Sequence, residues 1–325
     1  MTEPVLKIEG LKTCFTTKRG MLTAVDRVSL HVNARETLGI VGESGCGKSV
    51  TALSVLQLLP KPLAHIEEGK VLFNGKDLVS DPDIDIRAIR GNQISMIFQE
   101  PMTSLNPVYN VGFQIMEPLR KHRNMGGADA RLEAIRLLEL VGIPEPVSRI
   151  ADYPHQLSGG MRQRVMIAIA LACQPALIIA DEPTTALDVT IQAQILELMK
   201  SLQQELGMAI MLITHDLGVV AETCHRVVVM YAGKIVESAD VDELFTRPLH
   251  PYTKGLFDSL PQRGRRSALS TIPGAVPSLL NLPEGCSFQD RCRYAVQQCK
   301  QVPPWQETDK GHGVRCWYAL RGELR

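Results

Sequence analysis

The chain is predicted to adopt an α/β fold with a mainly parallel sheet, and three patterns carry that prediction. Apolar segments of strand length alternate with segments of helical periodicity along most of the chain. A glycine-rich turn at residues 42–49 stands between a strand-like and a helix-like segment. Two acidic residues, Asp181 and Glu182, directly follow an apolar run of strand length. Strands and helices that alternate in this way are typical of a parallel sheet covered by helices.

The glycine-rich turn matches the phosphate-loop pattern G-x-x-x-x-G-K-S/T. Thr37–Val41 before it predicts a buried strand, and Val50–Leu59 after it predicts a buried helix that stops at Pro60. A chance match in a glycine-rich turn is the alternative, but it does not explain the strand and helix on either side.

The turn has the chemistry of an anion site. Its glycines let successive backbone amides point at phosphate oxygens, next to a helix N-terminus. Lys48 would place a positive charge beside the β- and γ-phosphates, and the Ser49 hydroxyl would bind Mg²⁺. The residues expected to contact the nucleotide here are Gly42, Glu43, Ser44, Gly45, Cys46, Gly47, Lys48, Ser49 and Val50.

Composition excludes several classes of protein. Lys+Arg and Asp+Glu both number 35, so net charge gives no argument for a nucleic-acid partner. The N-terminus lacks the apolar core of a signal peptide. The most apolar stretch, Val165–Ala180, is divided by Gln174-Pro175 and predicts a helix, a turn and a buried strand. A soluble cytosolic protein is therefore expected, without structural disulfides among its 8 cysteines.

The remaining elements follow from periodicity. Strands are predicted at Val5–Ile8, Val25–Val32, Lys70–Phe73, Gln93–Phe98, Ala176–Ala180 and Met208–Ile213. Helical spacing runs from Val111 to about Gly142, and again along Ile191, Ile195, Leu198, Leu202 and Leu206 to a stop at Gly207. Arg226–Tyr231 and Lys234–Ser238 flank Ala232-Gly233 as a hairpin. Beyond about Thr246 prolines interrupt the pattern, which predicts a separate, loop-rich C-terminal unit.

Polar residues with catalytic potential follow predicted strands. Asp181 and Glu182 are expected at the carboxyl edge of the sheet, where ligands bind in such folds. Asp181 would hold Mg²⁺ through water, and Glu182 would orient and deprotonate a water molecule that attacks the γ-phosphate. Gln99 and His215 also follow apolar runs. The alternatives are a solvated acidic pair, a surface glutamine and a capping histidine.

Two further runs narrow the class of phosphate-loop protein to which the chain can belong. They are Leu157-Ser158-Gly159-Gly160-Met161-Arg162-Gln163-Arg164 and Leu177-Ile178-Ile179-Ala180-Asp181-Glu182-Pro183. With these motifs and the phosphate loop in this order, the chain resembles the ABC-type ATPase family. The resemblance implies ATP hydrolysis by a head-to-tail dimer that closes on two ATP molecules. It also implies a nucleotide-binding domain over residues 1–245, with a P-loop NTPase core, an antiparallel β-subdomain and a helical subdomain at about 100–165.

The same resemblance assigns roles to single residues. Gln99 would reach Mg²⁺ and the attacking water, and the stretch Glu100–Pro107 after it would press on membrane subunits. His215 would contact the γ-phosphate. Ser158, Gly159 and Gly160 would serve the ATP of the partner subunit, and Met161 replaces a common glutamine there.

Two positions at the edges of the site complete the resemblance. Asp188, in Ala186-Leu187-Asp188, matches the family's loop at the dimer seam. Phe15 lies where the family places an aromatic ring against adenine, and a role as an ordinary strand core residue is equally open.

Four cysteines, Cys286, Cys292, Cys299 and Cys316, lie in a polar stretch interrupted by prolines. Four thiolates in a region with little core suggest a metal site, but their spacing lacks the CxxC pairs of a zinc ribbon. The residues themselves leave open both a zinc site and free thiols. The other cysteines, Cys14, Cys46, Cys173 and Cys224, are expected to bind nothing.

The C-terminal region, residues 246–325, resembles the extension of dipeptide and oligopeptide import ATPases, most closely their D-type subunits. The resemblance is carried by His250-Pro251-Tyr252-Thr253, by Gly274 with Pro277, and by the run from Gly285 to Cys292, although Arg293 replaces a common proline. It implies a [4Fe-4S] cluster on the four cysteines, with zinc as the alternative. It also implies a paralogous ATPase partner, two transmembrane permeases, an extracytoplasmic peptide-binding protein and a place on the cytoplasmic face of the bacterial inner membrane.

The sequence is compatible with other functions. The same ATPase could serve a nickel, glutathione or cell-wall-peptide importer. An ABC ATPase acting on DNA or ribosomes is disfavoured by zero net charge and by the short stretch from Gln99 to Ser158, which cannot hold a long coiled coil. A nucleotide-sensing or metal-binding module is disfavoured by the intact set of Asp181, Glu182 and His215.

Overall fold

The computed structural model of the protein describes residues 3–99, 104–185, 187–259, 271–308 and 311–320. The strands are β1 (Leu6–Thr17), β2 (Gly20–Val32), β3 (Thr37–Val41), β4 (Ala64–Phe73), β5 (Lys76–Asp77), β6 (Ile94–Ile97), β7 (Leu177–Asp181), β8 (Ala209–Ile213), β9 (Arg226–Tyr231), β10 (Lys234–Asp240), β11 (Gln306–Glu307) and β12 (Gly313–Val314). The helices are α1 (Lys48–Val55), α2 (Ile86–Ile89), α3 (Val111–Arg123), α4 (Gly127–Leu140), α5 (Pro146–Arg149), α6 (Gly159–Leu171), α7 (Val189–Leu206), α8 (Leu217–Thr223), α9 (Val241–Thr246), α10 (Pro251–Asp258) and α11 (Trp317–Leu320).

The chain divides into two compact units. The first comprises Met1–Leu6, Val32–Thr37 and Phe73–Ile213, and the second comprises Lys7–His31, Leu38–Leu72 and Thr214–Arg325. Within the described ranges, none of the helices combines the length and apolar character that a bilayer crossing requires.

A parallel sheet of β6, β7 and β8 lies in the first unit. Ile94 pairs with Leu177, and Ile178 pairs with Ile210, so the three strands run in the same direction. Every residue of β7 and β8 is buried, as expected for strands that read as continuous apolar runs. The predicted strands are confirmed, and Asp181 is the last residue of β7.

The helices of the first unit include the predicted helical region. The segment from Val111 to Gly142 forms two helices, α3 and α4, because Asn124 with φ 52° ends α3 in the left-handed conformation. Helices α3, α4 and α6 contact one another. Ile115 of α3 and Leu137 of α4 are both buried.

Helix α7 ends at Gly207 with φ 68°, as its sequence predicts, but its buried face differs from the predicted one. Of the five predicted positions only Ile195 and Leu202 are buried, whereas Leu206 is 38% exposed. The buried face also includes Gln203, whose side-chain amide donates to the carbonyl of Arg35. Because that hydrogen bond satisfies the side-chain amide, the polar residue Gln203 can occupy a buried position of the helix, where helical periodicity predicts an apolar residue.

The second unit contains a mixed sheet. Strand β3 runs parallel to β9, with Ile40 opposite Val228. Strands β9 and β10 form the predicted antiparallel hairpin, and both turn residues, Ala232 and Gly233, have the positive φ that a tight hairpin requires. Strand β12 then pairs with β10 through Glu237 and Val314, and β11 pairs with β12. Residues beyond the predicted boundary at 245/246 therefore extend this sheet, while the boundary itself stays a prediction.

Strands β1, β2 and β4 belong to a second sheet, in which β1 lies between the other two. They are longer than predicted, because β1 continues to Thr17 and β2 begins at Gly20. In both strands buried and exposed residues mix over the additional length, which hides a strand from a search for apolar runs. Helix α1 begins at Lys48, earlier than predicted, and ends at Val55, after which Gln57 adopts φ 51°.

Candidate nucleotide-binding and hydrolysis site

The phosphate loop lies in the second unit, between β3 and α1, as the sequence predicts. Its glycines are required by space as well as by conformation. A Cβ atom on Gly42 would lie 2.2 Å from the carbonyl oxygen of Met230, and one on Gly47 would lie 2.5 Å from that of Ala24. Both glycines have positive φ, and so does Gly45, but a Cβ atom on Gly45 would meet nothing within 4 Å. The loop is therefore packed tightly on one side and open at Gly45.

Lys48 is the first residue of α1 and is only 5% exposed. Its ammonium group donates to the carbonyl oxygens of Gly42, at 2.7 Å, and Glu43, at 3.3 Å. A buried cation that is held beside the loop backbone can interact with phosphate from a fixed position. Ser49 follows as the second residue of α1.

His215 and Phe15 also belong to the second unit. His215 follows Thr214, whose backbone amide donates to the carbonyl of Ile40 in β3 at 3.3 Å. This hydrogen bond brings the segment before His215 beside the strand that leads into the loop. Phe15 lies in β1 and is partly buried, which leaves both of its predicted roles open.

The predicted hydrolytic residues lie in the first unit. Asp181 is 5% exposed at the end of β7. Glu182 follows with φ 48°, and its backbone amide donates to the carbonyl of Ile213 at 2.9 Å. The side-chain amide of Gln99 donates to Oε2 of Glu182 at 3.2 Å, and the hydroxyl of Thr185 donates to the same oxygen at 2.9 Å. The structure thus brings Gln99 and Glu182 together and adds Thr185, which the sequence analysis missed.

The segment Ser158-Gly159-Gly160 opens α6 in the first unit. Ser158 is the N-cap residue, and its hydroxyl accepts a hydrogen bond from the amide of Met161 at 3.3 Å. A Cβ atom on Gly160 would lie 2.8 Å from Ile191 of α7. Asp188 caps α7 by accepting from that same residue's amide at 2.9 Å. The predicted signature and dimer-seam residues therefore adjoin one another.

Some predicted features lie outside the described residues. They are Ala186 of the dimer-seam loop and residues 100–103 of the stretch that was expected to press on membrane subunits.

The four late cysteines belong to the second unit and lie near one another. Burial, together with the charges of Cys316, Cys299 and Cys292, raises the pKa of the Cys286 thiol to about 12. Burial likewise raises the pKa of Cys292 to about 11. The amide of Cys286 donates to the carbonyl of Cys299 at 2.8 Å. However, no group of three or more Cys, His, Asp or Glu in the described part of the chain has the geometry to hold a metal ion. The predicted iron–sulfur site therefore gains no support from that geometry.

Two buried polar contacts of the second unit carry no signal in the sequence. Arg291 forms a two-pronged ion pair with Glu43 of the loop, at 2.7 and 3.0 Å. Glu237, which is fully buried in β10, accepts a hydrogen bond from His312 at 2.7 Å. A lone arginine and a lone glutamate carry no sequence signal for such pairs, because the partners are far apart in the chain.

Comparison with known proteins identifies the class. A family model described as "ABC transporter" matches residues 25–185, and one described as "Oligopeptide/dipeptide transporter, C-terminal region" matches residues 236–299. A putative peptide import ATP-binding protein of Brucella melitensis is 54% identical, over 97% of this chain and 97% of the relative. The oligopeptide transport ATP-binding protein AppD of Bacillus subtilis is 53% identical, over 96% of each chain. The dipeptide transport ATP-binding protein DppD of the same organism is 51% identical, over 97% of this chain and 95% of the relative.

Solved structures agree on the fold. A dimeric structure of the ATP-binding cassette MJ0796 bound to ADP and Pi has a TM-score of 0.65 at 28% identity, and it covers 73% of this chain and 98% of that one. The cbiO1 structure from Clostridium perfringens has a TM-score of 0.63 at 26% identity, over 75% and 92% of the two chains.

The fold and the ordered nucleotide motifs define a P-loop ATPase of the ATP-binding cassette type. The chain belongs to the ABC transporter family, with the C-terminal region of the oligopeptide/dipeptide transporters. The predicted ABC ATPase fold and the predicted family are thereby confirmed.

Proposed function

We propose that the chain is the ATP-hydrolysing subunit of an importer for dipeptides or short oligopeptides. The observation that carries the proposal is the match of nearly the whole chain, at 51 to 54% identity, to relatives named for peptide, oligopeptide and dipeptide transport. Its C-terminal region also matches a model of oligopeptide and dipeptide transporters. Nickel, glutathione and cell-wall-peptide import remain alternatives that a transport assay separates.

In this proposal the phosphate loop and Lys48 bind the triphosphate, and His215 contacts its γ-phosphate. Glu182 accepts the proton of the attacking water. The hydrogen bonds from Gln99 and Thr185 to Glu182 support this role, because they fix the orientation of its carboxylate. Mg²⁺, held by Ser49, Asp181 and Gln99, would neutralise charge on the β- and γ-phosphates.

The signature residues Ser158, Gly159 and Gly160, with Asp188, act on the nucleotide of a second ATPase subunit. A paralogous chain is the partner that we propose, in a complex with two transmembrane permeases and an extracytoplasmic binding protein. In that complex the chain lies on the cytoplasmic face of the bacterial inner membrane. The N-terminal cap on α6 supports the role of Ser158, because it fixes the serine beside the first amides of a helix, which can bind phosphate.

Substitution of Glu182 tests the catalytic assignment. Glu182→Gln should reduce ATP turnover at least about a hundredfold while ATP still binds, because the residue acts on the proton and not on nucleotide affinity. Glu197→Gln, at an exposed position of α7, is the matched control. Normal turnover by Glu182→Gln, measured with a competent partner subunit, would contradict the assignment.

A transport assay tests the cargo. The chain, its partner ATPase, the permeases and the binding protein are expressed together in a host without peptide uptake, and labelled dipeptide, oligopeptide, cell-wall peptide, glutathione and nickel are offered in turn. We expect uptake of the peptides in wild type and none with Glu182→Gln. Uptake of nickel or glutathione without peptide would exclude the proposed cargo.

We further propose that Cys286, Cys292, Cys299 and Cys316 hold a [4Fe-4S] cluster. The electrostatic interaction of each thiol with the others supports the proposal, and so does the all-thiol donor set, which is the ligand chemistry of iron–sulfur clusters. Thiolates that bind different iron atoms of one cluster need not converge on a single ion. Bound iron would be expected to lower the pKa of these thiols, which burial and the charges of the neighbouring thiols raise.

Anaerobic purification tests the cluster. Protein with a cluster absorbs at about 400 nm and contains iron and sulfide. Cys286→Ser should remove this absorbance, and Cys14→Ser, in β1, should retain it. Zinc without sulfide would favour the alternative metal, and the absence of any metal would indicate free thiols.

A further inference from the structure

The side chain of Arg291 and the phosphate-loop residue Glu43 form a two-pronged ion pair. The two nitrogen–oxygen distances are 2.7 Å and 3.0 Å. Arg291 is 6% exposed and Glu43 is 27% exposed, so water is largely excluded from the arginine end of the pair. A forked guanidinium–carboxylate contact fixes distance and orientation together, which a single hydrogen bond does not.

Arg291 is itself fixed by its surroundings. Its Nε donates to the carbonyl of Pro273 at 3.0 Å, and its guanidinium lies 5.8 Å from the ring centre of Tyr231 and 5.9 Å from that of Phe288. As a guanidinium, the group is charged at every physiological pH. The pair is therefore an anchored restraint on the loop.

Glu43 is held through its backbone as well. Its amide donates to the hydroxyl of Tyr252 at 2.8 Å, and its carbonyl accepts from Lys48 at 3.3 Å. Tyr252 is fully buried and packs against Tyr231 and Phe288, at ring-centre distances of 4.7 and 5.4 Å. One aromatic cluster, Tyr231, Tyr252 and Phe288, thus supports both groups that hold Glu43.

The segment that carries Arg291 also carries two of the four cysteines. Gln289–Arg291 forms a single helical turn between Cys286 and Cys292. The amide of Gln289 donates to the carbonyl of Cys286 at 3.1 Å, and the amide of Cys292 donates to the carbonyl of Gln289 at 3.2 Å. Because the turn is this short, a displacement of either cysteine moves Arg291.

We propose that Arg291 is a positioning residue for the phosphate loop and that it couples the cysteine-bearing turn 286–292 to nucleotide affinity. It acts through Glu43 and does not contact the nucleotide. The inference rests on the proposed ATP-binding role of the loop. Loss of the restraint allows the backbone around Glu43 to adopt orientations that no longer present amides to phosphate, so affinity falls while the proton transfer at Glu182 is unaffected.

Nucleotide affinity and steady-state kinetics test the proposal on the full chain with its partner subunit. Arg291→Gln should raise the Kd for a fluorescent ATP analogue and the KM for ATP roughly tenfold, with kcat within about twofold of wild type. Arg291→Lys should recover part of the loss, since it keeps the charge without the fork. Arg293→Gln is the control, because its ion pair with Asp258 is long, at 3.9 Å, and exposed.

A double substitution separates positioning from a folding defect. The double variant with Glu43→Gln and Arg291→Gln removes both charges of the pair, so no unpaired charge is left buried. The Kd of this double variant for the ATP analogue should be no higher than that of Arg291→Gln alone. Additive effects of the two substitutions would overturn the proposal, and so would a fall in kcat at unchanged KM.

Coupling to the cysteines has its own readout. Cys286→Ser should raise the Kd for the ATP analogue in the wild-type background and should have no further effect when Arg291 is already glutamine. An equal effect in both backgrounds would overturn the coupling. If wild type fails to bind the analogue at all, the proposed function fails, whereas normal binding by wild type and by every Arg291 variant refutes only this inference.

Discussion

The carboxylate of Glu237 lies 2.7 Å from Nε2 of His312, and the two side chains are 0% and 1% exposed. The same carboxylate accepts hydrogen bonds from the backbone amides of Leu249, at 2.6 Å, and His250, at 2.9 Å. A single buried acid in β10 therefore holds both the start of α10 and the approach to β12. These contacts attach the C-terminal region to the sheet.

Removal of this acid should destabilise the fold. Glu237→Gln leaves at least one buried donor unpaired, because an amide offers one acceptor where the carboxylate offers two. We expect a loss of about 3 kcal/mol in the free energy of unfolding, measured by chemical denaturation.

Glu243→Gln is the control for Glu237→Gln. Its carboxylate lies 3.7 Å from the other ring nitrogen of His312 and is 28% exposed. Its effect should be below about 1 kcal/mol. Equal effects of the two substitutions would show that burial of Glu237 does not matter.

Stability should decline in mild acid because of His250. Burial lowers the pKa of His250 to about 4, below the usual 6.5 that applies in the unfolded chain. Between these values the unfolded chain binds the proton and the folded protein does not, so stability is fully present above about pH 6.5 and is lost as pH falls toward 4. The loss at pH 5 should be about 2 kcal/mol, measured by denaturation at pH 5 and pH 7.

His250→Asn isolates this contribution. The imidazole Nδ1 accepts from the amide of Tyr252 at 3.0 Å as the cap of α10, and an asparagine oxygen can accept in its place. The substitution should shrink the stability difference between pH 5 and pH 7. An unchanged difference would assign the acid sensitivity to other groups.

Two glycines of the phosphate loop, Gly47 and Gly45, should not tolerate alanine equally. Gly47→Ala places a methyl group 2.5 Å from the carbonyl of Ala24, so the loop must shift and the Kd for ATP should rise at least about a hundredfold. Gly45→Ala meets no atom within 4 Å and suffers only from its φ of 78°, so its Kd should change about tenfold or less. Equilibrium binding of a fluorescent ATP analogue compares the two, and a reversed order would contradict the structure.

Thr185 should tune turnover without changing affinity. Its hydroxyl donates to Glu182 at 2.9 Å, and Thr185→Val removes that donor at constant shape. We expect kcat to fall about tenfold with KM unchanged, because the carboxylate loses orientation but the phosphate loop does not. Thr185→Ser keeps the hydroxyl and should retain most of the activity. A rise in KM with Thr185→Val would place the residue in nucleotide binding instead.

The parts of this protein that the sequence predicts are those whose signal is local. Strands β3, β7 and β8 read as apolar runs, and the hairpin of β9 and β10 is marked by Ala232-Gly233. The phosphate loop is a contiguous motif, so its position is confirmed. Its ligand contacts stay a prediction.

The parts that escape prediction join distant residues. Glu43 and Arg291 are 248 residues apart, and Glu237 and His312 are 75 apart, so no periodicity relates them. Strands β11 and β12 have two residues each, which is too short for an alternating pattern to register. Strand β12 pairs with β10, and β11 pairs with β12. The sequences of these two short strands do not indicate their partners.

The backbone of Glu182 has the left-handed conformation, with φ 48°. For a residue other than glycine, this conformation is unfavourable by roughly 1 kcal/mol or more. The bond from its amide to the carbonyl of Ile213 offsets that cost. The orientation of Glu182 after β7 is therefore set by Ile213, the last residue of the adjacent strand β8. Changes in the packing around Ile213 can therefore alter the reaction rate of this ATPase without touching any group that meets ATP.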